Sequence, residues 1–265
     1  MYPDGKSDIY PFQMLGNLYF VGSRAVSVHL IDTGDGLILI DTGFPNMYQQ
    51  LCASMRTLGF DPADIRMLLH SHGHYDHIGC TARLKEISGA RTCISRIDND
   101  IVNGKRDLSW AHELGFEPLP PFECDMLLED GDVVELGSTR IQCRLAPGHT
   151  EGTLCFFLEI QDGGRRYTAA MHGGVGTNSM ETAFLRKYSL PFELRDRFRE
   201  GLHRLAEIPV DVVLGNHPDQ NDTEGKLRRI RNGERLACVD SGEWPRFLAD
   251  CERRLDKLLV SEQEA

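Results

Sequence analysis

The sequence predicts an α/β fold in which two sheets pack face to face and helices cover their outer surfaces. Three observations support this prediction. Strand-like segments dominate the chain, each half follows its strands with a helix and a further strand, and short turns join most neighbouring strands. The periodicity of apolar residues does not by itself separate this arrangement from other layered α/β folds.

The first half of the chain alternates strand-like segments with two helical ones. β-Branched and apolar residues fill the strands, and TGDG at 33–36 is typical of a hairpin turn. The helical segments carry apolar residues at helical spacing and end near Gly59 and Gly89. We therefore predict strands within 17–23, 25–43, 61–70 and 90–95, and helices within 46–60 and 80–89.

The second half returns to strands from about residue 122. Turn sequences EDGD, LGST and QDGG separate these strands. A helix, a strand that runs into a loop and an amphipathic closing helix follow. The predicted strands lie within 122–148, 153–160, 165–171 and 210–218, and the helices within 192–209 and 244–263.

Composition excludes several classes of protein. The 265 residues are 41% hydrophobic, which allows a substantial core in one large domain or two small ones. A net charge of −11 repels a phosphate backbone, so we expect no nucleic-acid partner, and basic residues at 225–235 are interpreted as a solvated helix face. The chain has no run of 18 apolar residues, so we predict no membrane span.

The N-terminus and the cysteines favour a cytoplasmic protein. MYPDGKSDIYPFQ lacks a charged segment followed by an apolar one, so we predict no signal peptide. The eight cysteines form no C-x-x-C pair, and several lie in apolar runs such as TLCFFLEI. We interpret them as reduced, mostly buried thiols.

The stretch HSHGHYDHIG at 70–79 is a candidate metal-binding loop. His72 and His74 are two residues apart on an extended loop and point the same way, so they can share one metal ion. Asp76 and His77 lie further along the turn and can reach a second ion. His70 precedes this motif on the strand, so we expect it to stand behind the ligands as a buried, hydrogen-bonded residue.

Two further histidines follow strands in the same way. His149 lies in APGHTEGT after the strand RIQCRL, and His217 lies in LGNHPDQ after VDVVL. Loops at strand ends gather into sites because a rigid scaffold fixes their residues.

The ordered motifs ILIDTG, HSHGHYDH, PGHTEGT and GNHP resemble those of the metallo-β-lactamase superfamily and span most of the chain. Within it, the third subclass of metallo-β-lactamases shares the ligand pattern of three histidines followed by Asp-His-His. The resemblance implies one domain over 1–265, folded as a four-layer αββα sandwich of two mixed sheets. It also implies a site for two Zn²⁺ ions at one edge, although other divalent metals are possible.

The resemblance assigns the residues of that site. His72, His74 and His149 would bind the first metal, and Asp76, His77 and His217 would bind the second. Asp41, in the D-T-G turn, would stand behind the ligands and orient an imidazole.

One departure from the family concerns the segment between PGHT and the last histidine. Many hydrolases of the superfamily carry a metal-bridging aspartate there, whereas this chain reads AAMHGGVG at 169–176. His172 or Gly173 occupies the position, and either is a candidate for lining the site. We expect the glycine-rich run to let the backbone approach a ligand. The third subclass also lacks the bridging aspartate.

The predicted activity is metal-dependent hydrolysis of a small molecule. Two zinc ions would supply hydroxide near pH 7 to attack a carbonyl of a lactam or a related amide or ester, and Asp76 would orient or accept the proton. The alternatives are hydrolysis of a thioester, lactone or phosphodiester within the same superfamily, and a non-catalytic metal-binding protein. The sequence does not indicate the natural substrate or the oligomeric state.

Substrate-recognising residues are predicted only from their position near the ligand loops. Thr177, Asn178 and Asn221 are candidates for binding a carboxylate or amide. The segment 96–121 is interpreted either as a flap over the site or as a structural excursion.

Overall fold

The computed structural model describes residues 8–264, and these form two mixed sheets enclosed by helices. Residues 1–7, on which the signal-peptide prediction partly rests, lie outside the described part of the chain. Within residues 8–264, no helix combines the length and apolar character needed to cross a bilayer. The predicted cytoplasmic location stays a prediction.

The first sheet is built from the N-terminal half. β1 to β4 are antiparallel neighbours, and β4, β5, β6 and β7 run parallel to one another. The strands, in sheet order, are β1 Phe12–Leu15, β2 Leu18–Phe20, β3 His29–Asp32, β4 Leu37–Ile40, β5 Ile65–Leu69, β6 Arg91–Ser95 and β7 Met126–Leu128.

The second sheet is built from the C-terminal half. Its strands are antiparallel except at one edge, where β12 pairs in parallel with β11. The strands are β8 Val133–Leu136, β9 Thr139–Leu145, β10 Leu154–Asp162, β11 Arg165–His172 and β12 Val212–Leu214.

Eight α-helices cover the sheets or connect their strands in the described residues. The four helices predicted from apolar periodicity are present, together with α7 (Thr223–Arg231) and three helices of four to six residues. The helices are α1 Tyr48–Thr57, α2 Tyr75–Ile78, α3 Thr81–Ser88, α4 Asn99–Val102, α5 Thr182–Lys187, α6 Leu194–Ala206, α7 Thr223–Arg231 and α8 Glu243–Gln263.

Three apolar clusters define the four layers. Phe20 and Ile40 of the first sheet pack with Phe156 of the second in a core between the sheets. The outer face of the first sheet packs on α1 and α3, and the outer face of the second packs on α6 and α8. The alternation of side chains along each strand produces these two faces. The predicted αββα sandwich is confirmed.

Candidate metal centre

The predicted ligands lie on loops that follow strands at one edge of the sandwich. Asp41 follows β4, the histidine-rich loop follows β5, and both strands belong to the parallel part of the first sheet. Parallel strands place their carboxyl ends at the same edge. The loops after β9 and β12 bring His149 and His217 to that edge from the second sheet.

His72, His74 and His149 form a compact group, here called the first triad. One ligand atom of each lies within 4.8 Å of the other two. His72 and His74 are buried, and His149 is partly buried. The Nε2 atom of His72 is buried and has no hydrogen-bond partner, which is the state expected of a nitrogen that faces a metal site.

Asp76, His77 and His217 form a second group, the second triad, whose ligand atoms also converge within 4.8 Å. Asp76 Oδ2 lies 3.3 Å from His77 Nε2 and 3.5 Å from His217 Nε2. The two triads are adjacent, because the ring centroids of His72 and His77 are 4.2 Å apart.

Hydrogen bonds to Nδ1 orient four of the five histidines and leave their Nε2 atoms for the cluster. Such bonds fix the ring and its tautomer. The partners of these Nδ1 atoms are the Ser71 hydroxyl for His72 at 2.9 Å, the Asp41 carboxylate for His77 at 2.8 Å, the Gly176 carbonyl for His149 at 2.9 Å and the Ala25 carbonyl for His217 at 2.8 Å.

Asp41 connects the two triads. One carboxylate oxygen accepts the backbone N–H of Ser71 at 2.8 Å, and the other accepts the Ser71 hydroxyl and His77 Nδ1, each at 2.8 Å. Asp41 has a φ of 61°, in the left-handed region that aspartate enters more readily than most residues. The carboxylate predicted to stand behind the ligands therefore orients His77 directly and His72 through Ser71.

Burial makes the first triad a set of neutral imidazoles. Desolvation, aided by neighbouring histidines, holds the pKa values of His72 and His74 well below the usual range. Burial likewise lowers the pKa of His149 to about 4. Neutral imidazole is the form that binds a metal ion.

The second triad, in contrast, contains charged groups. Burial acts to lower the pKa of His77, but the carboxylates of Asp76 and Asp41 outweigh it and raise that pKa to about 10. Burial acts to raise the pKa of Asp76, and His77 together with His217 lowers it below its usual range. Protein atoms alone therefore give an Asp⁻–HisH⁺ pair here, with a proton where a cation would bind.

His70 and His172 both lie behind the site rather than in it. His70 is buried, with Nε2 3.3 Å from the Thr81 hydroxyl. His172 is also buried, and its ring faces Phe198 of α6 with a centroid distance of 5.9 Å. It lies on the outer face of β11 with Ala170, so the expected lining role does not fit its position.

The glycine-rich run after β11 makes room for His149, one of the predicted metal ligands. A Cβ on Gly174 would lie 2.5 Å from the His149 ring, and one on Gly176 would lie 3.0 Å from it. A Cβ on Gly173 would lie 2.1 Å from the carbonyl oxygen of Leu154, so this residue is packed within the protein. Gly174 and Gly176 thus lie against a predicted metal ligand, and the expectation that this run approaches a bound ligand stays a prediction.

The three predicted substrate residues have different surroundings. Asn221 is buried, its amide donates to the Val213 carbonyl at 2.8 Å, and its oxygen accepts from the Thr223 hydroxyl at 2.7 Å. That side chain is occupied by the loop around His217 and does not fit a substrate-binding role. Thr177 and Asn178 are partly exposed beside Gly176 and stay candidates.

The segment 96–121 lies against the first triad. The backbone N–H of Tyr75 donates to the Ser109 carbonyl at 2.7 Å, and the Trp110 ring lies 5.7 Å from the His74 ring. Trp110 also packs on Phe184 of α5 at 4.5 Å. Of the two interpretations of this segment, its position favours a wall or flap beside the site.

Sequence reasoning missed three groups that support the ligands: Ser71, the Ala25 carbonyl and Asp98. Asp98 is buried and accepts three hydrogen bonds from the two loops of the first triad. Its position just after a strand of the parallel sheet was a usable signal. Nothing in the sequence marks a backbone carbonyl such as that of Ala25.

A protein-family model described as the metallo-beta-lactamase superfamily matches residues 21–163. Among solved structures, BJP-1, a subclass B3 metallo-beta-lactamase of Bradyrhizobium japonicum, superimposes with a TM-score of 0.85 and 26% identity. That match covers 97% of this chain and 96% of the other.

Curated relatives match shorter segments. One is named the probable polyketide biosynthesis zinc-dependent hydrolase PksB of Bacillus subtilis (28% identity, 38% of each chain). Another is a hydroxyacylglutathione hydrolase of Pseudomonas putida (32% identity, 35% of this chain and 27% of that one). The matched segments thus span well under half the length of both relatives.

Proposed function

This chain belongs to the metallo-beta-lactamase superfamily, a family of metal-dependent hydrolases, and from that premise we propose that it binds two zinc ions and hydrolyses a carbonyl compound. The proposed substrate is a small lactam or a related amide or ester. The observation that carries the proposal is the pair of adjacent triads, each with converging ligand atoms. The similarity to a subclass B3 enzyme supports the lactam over other carbonyl compounds.

The residues present fit zinc. Imidazole nitrogen and carboxylate oxygen are its common protein ligands, and each triad supplies three of them. Three protein ligands leave a coordination position open, as in catalytic rather than structural zinc sites. The unpartnered Nε2 of His72 and the oriented Nδ1 atoms support metal binding at these positions.

Zinc, when bound, lowers the pKa of a water molecule towards neutrality and polarises a carbonyl oxygen. The other roles fall to the chain. The Asp76 side chain is 13% exposed and its pKa is lowered, so it is ionised at neutral pH and can accept a hydrogen bond that orients the proton of the nucleophile. Asp41 keeps His77 in place, and the wall around Trp110 shields the first triad from solvent.

The test is turnover of nitrocefin and of a carbapenem by zinc-loaded protein, compared with the His149→Ala variant. We expect hydrolysis that His149→Ala and chelation both abolish. A wild-type rate equal to that of buffer for both compounds would overturn the lactam assignment.

The second candidate is a thioester, lactone or phosphodiester hydrolase. It is favoured by the similarity to hydroxyacylglutathione hydrolase, whose named substrate is a thioester. In the described residues, however, neither triad includes a carboxylate from the segment 169–176, where His172 stands. A panel of thioesters, lactones and phosphodiesters, run with the same variant as control, separates the candidates by relative kcat/KM.

A further inference from the structure

Asp98 is a buried carboxylate that lies beside the first triad without belonging to it. It follows β6, and its side chain is sealed from solvent. Its Oδ2 accepts the backbone N–H of Gly73 at 3.0 Å and the hydroxyl of Thr150 at 2.7 Å, and its Oδ1 accepts the backbone N–H of Gly152 at 2.9 Å.

These three bonds join the two loops that carry the first triad. Gly73 lies between His72 and His74, whereas Thr150 follows His149 directly and Gly152 lies two residues further along the same loop. The fit around the carboxylate is close, because a Cβ on Gly152 would lie 2.4 Å from Asp98 Oδ1. The Asp98 side chain thus joins the loop after β5 to the loop after β9 by hydrogen bonds.

We propose that Asp98 is a positioning residue for the metal of the first triad, because its three hydrogen bonds clamp the two ligand loops at the separation the ion requires. This inference rests on the proposed metal site but not on the identity of the substrate. Outer partners of metal ligands typically contribute about 10- to 100-fold in metal affinity.

Zinc affinity tests this role without any need for turnover. Asp98→Asn keeps the size of the side chain, removes the charge and places an amide N–H₂ against N–H or O–H donors. Asp125→Asn is the matched control, because Asp125 also joins two segments through three hydrogen bonds, from Thr92 N, Thr92 Oγ1 and Lys85 Nζ. Competition against a chromophoric chelator measures the first zinc dissociation constant of each full-length variant.

We expect Asp98→Asn to weaken the first zinc by about 10- to 100-fold and Asp125→Asn to change it by less than about threefold. The visible spectrum of the protein loaded with one Co²⁺ ion should shift in Asp98→Asn alone, since that spectrum reports ligand geometry. Thr150→Val removes one of the three bonds and keeps the shape of the side chain. It should give a smaller loss of the same sign.

Wild-type zinc affinity and an unaltered Co²⁺ spectrum in Asp98→Asn would overturn the proposal, and so would an equal loss of affinity in Asp125→Asn. If Asp98→Asn does not fold, Thr150→Val decides, and an unchanged zinc affinity there overturns the clamp. Failure of the substrate panel with tight zinc binding would contradict the proposed hydrolysis and leave the role of Asp98 intact.

Discussion

The first triad has three histidines and the second has an aspartate and two histidines, and the two differ in charge and exposure. In the first, His72 and His74 are almost fully buried and all three imidazoles are neutral. In the second, the His217 side chain is 32% exposed, and two carboxylates raise the pKa of His77 to about 10. Protein packing has therefore prepared the first triad for an ion, whereas the second must exchange a proton for one.

The triads also differ in where their support comes from. Hydrogen bonds to Asp98 tie the two loops of the first triad. The second depends on contacts between the two sheets: the 25–29 segment of the first half meets the 215–217 loop of the second. Those contacts are Ser27 N to Asn216 O at 3.0 Å, His217 Nδ1 to Ala25 O at 2.8 Å and His29 Nε2 to Gly215 O at 3.1 Å.

The largest effect is expected from removing a ligand of the first triad. His149→Ala should lower kcat/KM on whichever substrate is turned over by more than about 100-fold, because losing a ligand exceeds the usual effect of losing its outer partner. Steady-state kinetics with added zinc measure this change. His203→Ala, at an exposed histidine paired with Glu252, is the control. Activity of His149→Ala within tenfold of wild type would show that the first triad is not the catalytic site.

Asp41 supports both triads, because it bonds to His77 directly and reaches His72 through Ser71. Asp41→Asn places an amide nitrogen where Ser71 N, Ser71 Oγ or His77 Nδ1 now donates. We expect a loss of about 10- to 100-fold in kcat/KM and in affinity for the second zinc. Kinetics and a zinc titration measure it, with Asp32→Asn on β3 as the control. Unchanged values would contradict an orienting role.

The dependence on pH should separate the two sites. Because the pKa of His77 is raised, this residue is protonated at neutral pH, and a metal must displace that proton. Affinity of the second triad should therefore rise by up to about tenfold per pH unit as the pH increases towards 10. The pKa values of the first triad are lowered, so its affinity should be nearly constant above about pH 6.5. Zinc competition at pH 6, 7 and 8 tests this difference, and equal slopes for both ions would refute it.

A smaller effect concerns stability. Burial is the main cause that lowers the pKa of His29 to about 4. A depressed pKa stabilises the fold above the unfolded value of about 6.5, and this stability is lost as the pH falls towards 4, by up to about 1.4 kcal/mol per unit. His29→Gln can keep the bond to Gly215 and should flatten that slope in urea unfolding of the metal-free protein. His203→Gln is the control. If the variant shows the same slope as wild type, His29 is not the source of this pH dependence of the unfolding free energy.

Local patterns in the sequence predicted the strands, the longer helices and the position of the site, whereas the four-layer sandwich was predicted from the resemblance of the ordered motifs to a known family. Apolar runs such as RMLL and VDVVL give strands, and the loops that carry the predicted ligands follow such strands. Short helices were missed: YDHI, read as part of a loop, is helical over Tyr75–Ile78, and α5 was not predicted. Both have fewer than seven residues, too few for a helical period to show.

The supporting residues were harder to predict because their roles come from tertiary contacts. Asp98 and Ser71 meet their partners only when separate loops fold together. His172 was expected to line the site from its position in the chain, yet strand alternation turns it towards α6. Asn221 was near the right loop, but its amide is used by Val213 and Thr223. The assignment of 1–265 to one domain stays a prediction.

The central claim is that two adjacent triads each hold a zinc ion. Anomalous diffraction at the zinc absorption edge, from crystals of the zinc-loaded full chain at pH 8, tests it directly. We predict two peaks, one facing Nε2 of His72 and His149 and one facing Nε2 of His77 and His217. A single peak, or strong peaks away from these six residues, would contradict the dinuclear centre on which the proposed hydrolysis depends.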